Sequence, residues 1–369
     1  MDTHAFFRDR LLAWFAQSHR PMPWKAENDP YRVWLSEIIL QQTRVEQGMP
    51  YYLHFIERFP DVTQLAHAPE DAVLKAWEGL GYYSRARNLH ETAKFIAGEL
   101  NGVFPNSYAA IRALKGVGDY TAAAIASFAF GLPHAVLDGN VYRVLSRFWD
   151  IETPIDTPKA KKEFAELARQ LLPSGQPGDF NQAIMDLGAT VGTPRLPQCT
   201  SCPLNSECRA LRLNKAGELP VKSKNPVKKD RFFLYLVVNY RQQTLVQKRE
   251  GKDIWRNLYE FPLLEAISLP ADNQEILQCL SGYFFDGQLP PGAEFSAISK
   301  PYRQTLTHRR ITAIFGEVNF SSETPESTFH RSPFENSKLV SKSELKKNIA
   351  VPRVIDWYLQ EKALTLRLI

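Results

Sequence analysis

Leu114-Lys115-Gly116-Val117-Gly118-Asp119-Tyr120-Thr121-Ala122 joins the end of one helical pattern to the start of an alanine-rich one. Two glycines around one apolar residue make a tight hairpin whose backbone N–H groups point outward beside a helix N-terminus. Such an arrangement holds a phosphate without side chains. Glycine also ends many helices for purely structural reasons, so Gly-x-Gly gains meaning only from its neighbours in the chain.

Here its neighbours are Thr121, Ala122 and a helix of small residues, the pattern of a helix-hairpin-helix DNA-binding element gripping backbone through Gly116 and Gly118. Around it, up to about Leu213, apolar residues recur at three- and four-residue spacing. That spacing predicts helices over Tyr31–Val45, Ala72–Trp77, Leu89–Ile96, Thr121–Phe130, Val141–Phe148 and Lys159–Leu172. The segment 214–231 turns polar and basic around Pro220 and Pro226, as a linker does. Beyond it, Phe232–Asn239 with Thr244–Lys248 and Ile298–Leu306 with Ile311–Val318 read as strand pairs, and Gln274–Leu280 and Val354–Glu361 as helices. The expected fold class is multidomain: an all-α domain over 1–213, a basic linker over 214–231 and an α+β domain over 232–369.

At 369 residues two domains are the default, and 44% hydrophobic with 23% charged content describes an ordinary globular chain. Aromatic content of 12% argues against disorder, and no apolar run approaches membrane-spanning length. The first 19 residues form an amphipathic helix whose early acids, Asp2 and Asp9, argue against a signal peptide. A net charge of +5 permits nucleic acid as a partner without demanding it.

Cys199-x2-Cys202-x5-Cys208 lies on a proline-broken loop, a spacing that suits an iron–sulfur cluster or a tetrahedral zinc site. Either would want four ligands. Seven residues upstream, where a first thiolate would stand, the chain has Gly192. Cys279 stands apart in an apolar stretch and reads as a buried structural thiol. Few cysteines, three of them clustered, suit a reducing cytoplasm.

Two acids are candidates for chemistry. Helical spacing puts Val33, Trp34 and Leu40 on the face of Glu37, and desolvation would raise its pKa toward that of a general acid. A glutamate rotated to the helix edge, or paired with Arg32 or Arg44, fits the same pattern. Asp138 precedes an apolar-periodic helix, where N-capping explains an aspartate without catalysis.

Ser36-Glu37 with Leu40-Gln41-Gln42-Thr43, the segment Gly79–Leu89, the Gly-Val-Gly hairpin, Leu137-Asp138-Gly139-Asn140-Val141 and the cysteine loop occur in an order that resembles the adenine DNA glycosylases. The resemblance implies a helix-hairpin-helix glycosylase domain with an iron–sulfur loop over 192–208, followed by a Nudix-like domain. It implies excision of adenine mispaired with 8-oxoguanine in duplex DNA by a monomeric, cytoplasmic, DNA-associated enzyme. Glu37 would protonate the flipped adenine, and Asp138 would stabilise the sugar cation. Tyr120 and Asn140 would orient the acids and water. Arg20, Trp24, Leu40 and Gln182 would line the base pocket, Gln42 and Tyr82 would hold the opened duplex, and Thr307 and His308 would read the lesion. A [4Fe-4S] cluster on Cys199, Cys202 and Cys208 is expected from the family, with Gly192 at its first ligand position. An endonuclease III-like lyase would need an amine where Tyr120 stands. A non-catalytic lesion-binding protein would not need both acids.

Overall fold

The computed structural model describes residues 2–18, 22–24, 28–223 and 227–365. The chain divides into two compact units, Met1–His67 with Asn88–Asn225, and Ala68–Arg87 with Pro226–Ile369. The first is helical: α1 (Thr3–Ser18), α2 (Pro30–Leu40), α3 (Val45–Arg58) and α4 (Val62–His67) open it. Next come α5 (Glu70–Ala76), counted with the second unit, and α6 (Ser84–Glu99), whose first turn is counted there too. The helices α7 (Tyr108–Ala113), α8 (Asp119–Phe130), α9 (Gly139–Trp149), α10 (Pro158–Leu171), α11 (Pro177–Thr190) and α12 (Arg209–Arg212) complete it.

A core built on α9 positions the site. Val141, Val144, Leu145 and Phe148 form the inner stripe of α9 and meet Phe7 and Leu11 of α1, Phe164 of α10, and Phe180, Ile184 and Leu187 of α11. Phe7 meets Phe148 edge to face at 5.0 Å. Each such side chain contributes about 1.5–3 kcal/mol of burial. Ala122, Ala123, Ala124 and Ala126 are buried on α8, and their small side chains let α2 pack closely against it. That approach brings Glu37 to Tyr120. Similarly, a Cβ on Gly188 of α11 would meet Asn140 Cβ at 2.7 Å and its carbonyl oxygen at 2.8 Å. Only glycine allows α11 so near the start of α9.

The helix expected over Tyr31–Val45 is two helices. The chain leaves α2 after Leu40, turns at Gln42 with φ of +55°, and re-enters helix at Val45. Gln41, in the break, donates from Nε2 to Thr121 Oγ1 at 3.1 Å. Within the expected linker 214–231, Leu219 is buried and Val221 accepts from Ile155 N at 3.0 Å, so residues 219–221 lie on the first unit, while Lys229–Arg231 already belong to a strand of the second.

The second unit carries β1 (Lys229–Tyr240), β2 (Gln243–Lys248), β3 (Tyr259–Glu260), β4 (Leu263–Ala266), α13 (Asn273–Phe285), β5 (Ala293–Ile298), β6 (Tyr302–Thr305), β7 (Arg309–Phe320), β8 (Ser337–Ser341), α14 (Lys342–Asn348) and α15 (Arg353–Thr365). The sheet is mixed, ordered β3-β2-β1-β7-β5, with β1 parallel to β7 from Lys229↔Arg309 to Asn239↔Asn319. Helix α13 covers it through Leu280, packed on Gly316, and Tyr358 of α15 stacks on Phe315 at 4.2 Å. The stretch Ile298–Leu306, expected as one strand, is the end of β5 followed by β6. Pro301 lies between them, and lacks the N–H a continuous ladder needs. Segment 68–87 is fastened here by Lys248 to Asp71 at 2.7 Å, Lys75 to the Ile349 carbonyl at 3.0 Å, and Val351 N to Glu78 at 3.0 Å. Cys279 packs, partly buried, on this unit's core. Among the described residues no helix is long and apolar enough to cross a membrane.

Candidate active site

A cleft of about 860 Å³ opens in the first unit between the end of α2, the hairpin before α8 and the start of α9. Glu37, Leu40, Gln42, Tyr120 and Asp138 line it, with both hairpin glycines. Glu37 is 7% exposed, and burial pushes its carboxyl up to about 7, with Asp138 adding to the rise and the Tyr120 hydroxyl opposing it. It is not an edge glutamate, and Arg32 turns instead to Asp29 at 3.6 Å. The Tyr120 hydroxyl lies 3.5 Å from Met185 Sδ and also reaches Glu37. When Glu37 is ionised, its carboxylate is the far stronger acceptor for the hydroxyl proton, and the sulfur contact is packing.

Asp138 caps α9. Its Oδ1 accepts from Asn140 N and Val141 N, both at 2.8 Å, and its Oδ2 accepts from Asn140 Nδ2 at 2.6 Å. Burial still holds its carboxyl above the ordinary aspartate value, against those bonds and the Arg143 charge. Capping and cleft exposure coexist, so the two readings of Asp138 do not compete. The cleft thus holds one carboxyl that is still about half protonated near pH 7 and a second bound by three donors, a pairing suited to separate acid and anion roles.

Arg143, not singled out from sequence, fixes Asn140: its Nη2 donates to Asn140 Oδ1 at 2.7 Å and to the Gly188 carbonyl at 2.8 Å, and its Nε to the Gly192 carbonyl at 2.9 Å. Arg147, one turn on, donates to the carbonyls of Gly192, Thr193 and Leu219 at 2.9–3.1 Å. Two arginines on a helix otherwise rich in core residues were the available signal, since a buried guanidinium must find acceptors.

Gly116 has φ of +77°, and a Cβ there would meet Asn88 Cβ at 2.7 Å, so the hairpin requires glycine. Gly118 is the N-cap of α8. Trp24 is buried, edge to face with Tyr52 at 5.0 Å. Gln182 is half-buried and donates to Asp186 Oδ1 at 3.0 Å, and it is not among the residues that line the cleft. Arg20 lies outside the described residues.

In the second unit, Tyr82 is 49% exposed at φ of +47°, and its hydroxyl lies 2.9 Å from Thr307 Oγ1. Thr307 and His308 form the exposed turn between β6 and β7, pinned by Lys229 N donating to the His308 carbonyl at 3.1 Å. The structure therefore brings Tyr82 and Thr307 together from positions far apart in sequence.

Cys199, Cys202 and Cys208 line one small cavity, of about 50 Å³, together with Gly192 and Arg147. Burial pushes the Cys202 thiol up to about 11 and raises that of Cys208, so neither is a ready thiolate without a cation. Among the described residues no three His, Cys, Asp or Glu side chains form a group able to hold a metal ion. Gly192, in the same lining, supplies no ligand atom, so the loop offers three thiols and not four. A Cβ at Gly192 would meet nothing nearer than 3.4 Å, so a side chain has room there.

The family described as HhH-GPD superfamily base excision DNA repair protein matches residues 35–170. The adenine DNA glycosylase of Buchnera aphidicola subsp. Baizongia pistaciae is 39% identical over 263 residues, 70% of this chain and 74% of the relative. That of Homo sapiens is 45% identical over 213 residues, 55% of this chain and 39% of the relative. Among solved structures, a thermostable thymine-DNA glycosylase superposes with a TM-score of 0.54 at 29% identity, covering 57% of this chain and 97% of that one.

Proposed function

The chain belongs to the adenine DNA glycosylase family, base-excision repair enzymes that hydrolyse N-glycosidic bonds, and from that premise we propose that it excises adenine mispaired with 8-oxoguanine. The observation that carries the mechanism is Glu37, its carboxyl raised to about 7 by burial, in one cleft with Tyr120 and the capped Asp138. Flipping the adenine out of the stack costs roughly a few kcal/mol. Glu37 donates its proton to adenine N7. The C1′–N9 bond then breaks, its electron pair leaves with the base, and the Asp138 carboxylate stabilises the oxocarbenium-like sugar. Water adds to C1′ and returns a proton to Glu37. Tyr120 and Asn140 orient the two carboxyls, and Trp24 and Leu40 bound the base pocket. With a phenol at position 120 and no amine, the reaction stops at the abasic site.

The second unit is read as a Nudix-like recognition domain. Its mixed sheet between α13 and α15 supports that reading, and the absence of paired glutamates over 258–275 assigns it recognition without hydrolysis. Thr307 and His308 are read as the lesion-contacting residues and Gln42 and Tyr82 as those that hold the opened duplex, a reading that the contact of Tyr82 with Thr307 supports. The glycosylase domain is taken as 1–213, its connector as 214–231 and the recognition domain as 232–369. The working form is a monomer on duplex DNA. A family iron–sulfur cluster, when bound, orders the loop 192–208; the three cysteines hold it incompletely, and no step above runs through it.

The test is single-turnover release of adenine from an adenine:8-oxoguanine duplex, with borohydride added in parallel. Free adenine and an intact abasic strand are expected. A trapped protein–DNA adduct, or no adenine, overturns the proposal.

A further inference from the structure

Asp119 directly follows Gly118 and is the first residue of α8, where its charge opposes any phosphate held by the hairpin. Its carboxylate is already occupied. Arg112 Nε donates to Oδ1 at 2.6 Å and Lys161 Nζ to Oδ2 at 2.5 Å. Arg112 is also fastened to the hairpin itself, through Nη1 to the Val117 carbonyl at 3.0 Å. Lys161 and Asp119 line the same cleft as Gly116 and Gly118. The three side chains are exposed, at 47% for Arg112, 44% for Asp119 and 63% for Lys161. Ion pairs so open to water hold weakly and exchange readily.

We infer that Asp119 is an internal counter-anion. It occupies Arg112 and Lys161 at the hairpin until a phosphodiester of the duplex takes its place, and so keeps the hold on undamaged DNA weak. The inference rests on reading the Gly116–Gly118 hairpin as a DNA-backbone site. The chemistry follows from charge. A phosphate approaching the hairpin N–H groups meets two cations already neutralised and one carboxylate that repels it. Lesion contacts made elsewhere are untouched, so Asp119 lowers the backbone hold on lesion-bearing and lesion-free duplex alike and leaves lesion contacts a larger share of the binding. An acid in a first helical turn also favours the helix dipole, which would be a purely structural role. The two roles differ in salt dependence, because only the first changes how many cations meet phosphate.

The experiment measures binding of the full chain to a lesion-free duplex across a salt series. Wild type, Asp119→Asn, Asp119→Ser, Lys161→Gln and the double variant Asp119→Asn/Lys161→Gln are compared. Asp119→Asn is expected to bind about three- to tenfold more tightly at low salt, and its log–log salt slope to steepen by about 1–2 as freed cations displace counterions. Asp119→Ser removes the same charge and should match it. Lys161→Gln alone should weaken binding, because it removes a cation for the phosphate and leaves Asp119 less neutralised, and in the Asp119→Asn background it should take back about one unit of slope. An unchanged slope in both Asp119 variants, or weaker binding, overturns the inference even if their melting temperatures shift. Failure of wild type to bind any duplex would overturn the hairpin reading and this inference with it.

Discussion

The cleft and the cysteine loop are neighbours on α9, and they differ in completeness. In the cleft, Glu37 is met by Tyr120, Asp138 by three donors, and Asn140 by both Asp138 and Arg143. In the loop three cysteines line a small cavity together with Gly192, which has no ligand atom to offer. Yet the loop is held, because Arg143 and Arg147 grasp its backbone carbonyls and not its side chains. The lesson is that the loop can keep its place beside Asn140 through hydrogen bonds that a missing thiolate does not remove.

The largest effect should come from the cleft. Glu37→Gln and Asp138→Asn should each lower single-turnover adenine release by roughly a thousandfold or more, since proton donation and cation stabilisation are lost outright. Duplex binding should persist. Release at near wild-type rate by either would erase the contrast between a working cleft and an incomplete loop.

Gly188→Ala tests the junction of the two regions. The added methyl meets Asn140 at 2.7 Å, so α9 must shift or Asn140 must move. A loss of about 1–3 kcal/mol in stability and a roughly ten- to hundredfold slower excision step are expected, read by thermal unfolding and single-turnover kinetics. An unaffected rate would show that Asn140 does not need its observed position.

Thr307→Ala and His308→Ala lie in the other unit and should spare bond breaking. Each should narrow the preference for adenine opposite 8-oxoguanine over guanine by about five- to hundredfold, equivalent to about 1–3 kcal/mol of hydrogen bonding. Retention of the full preference by both would move lesion reading elsewhere.

Gly192→Cys completes the loop, and should give the smallest change in rate. The site has room for the side chain, and the arginine bonds go to the backbone carbonyl, which the substitution keeps. Iron content should rise toward about four per chain from a substoichiometric level, with several-fold tighter DNA binding. A stoichiometric, air-stable cluster in the unaltered protein would contradict the incomplete-site reading.

What sequence made legible was local. The helix face of Glu37 allowed burial but left an edge position open, capping logic placed Asp138 at the start of α9, and spacing pointed to the glycine hairpin and to Gly192 where a further ligand would stand. What it hid was long-range. Arg143 and Arg147 find acceptors 45 to 72 residues away. Segment 68–87 joins a unit whose remainder begins well over a hundred residues later. The break at Gln42 interrupts an apolar period that reads as continuous, because a left-handed residue leaves no trace in periodicity. Gln182 gives an amide N–H to Asp186, one turn along the same helix, a bond that spacing alone does not reveal.

The central claim is that Glu37 acts as a neutral acid near pH 7. Its carboxyl is raised to about 7, so the protonated fraction falls as pH rises through that value. Single-turnover adenine release by the wild-type chain, at saturating enzyme from about pH 6 to 9, measures this directly. The expected profile is level below about pH 7 and then falls roughly tenfold per unit above it. A rate that stays level or climbs across that range would mean Glu37 works ionised, and would contradict the mechanism.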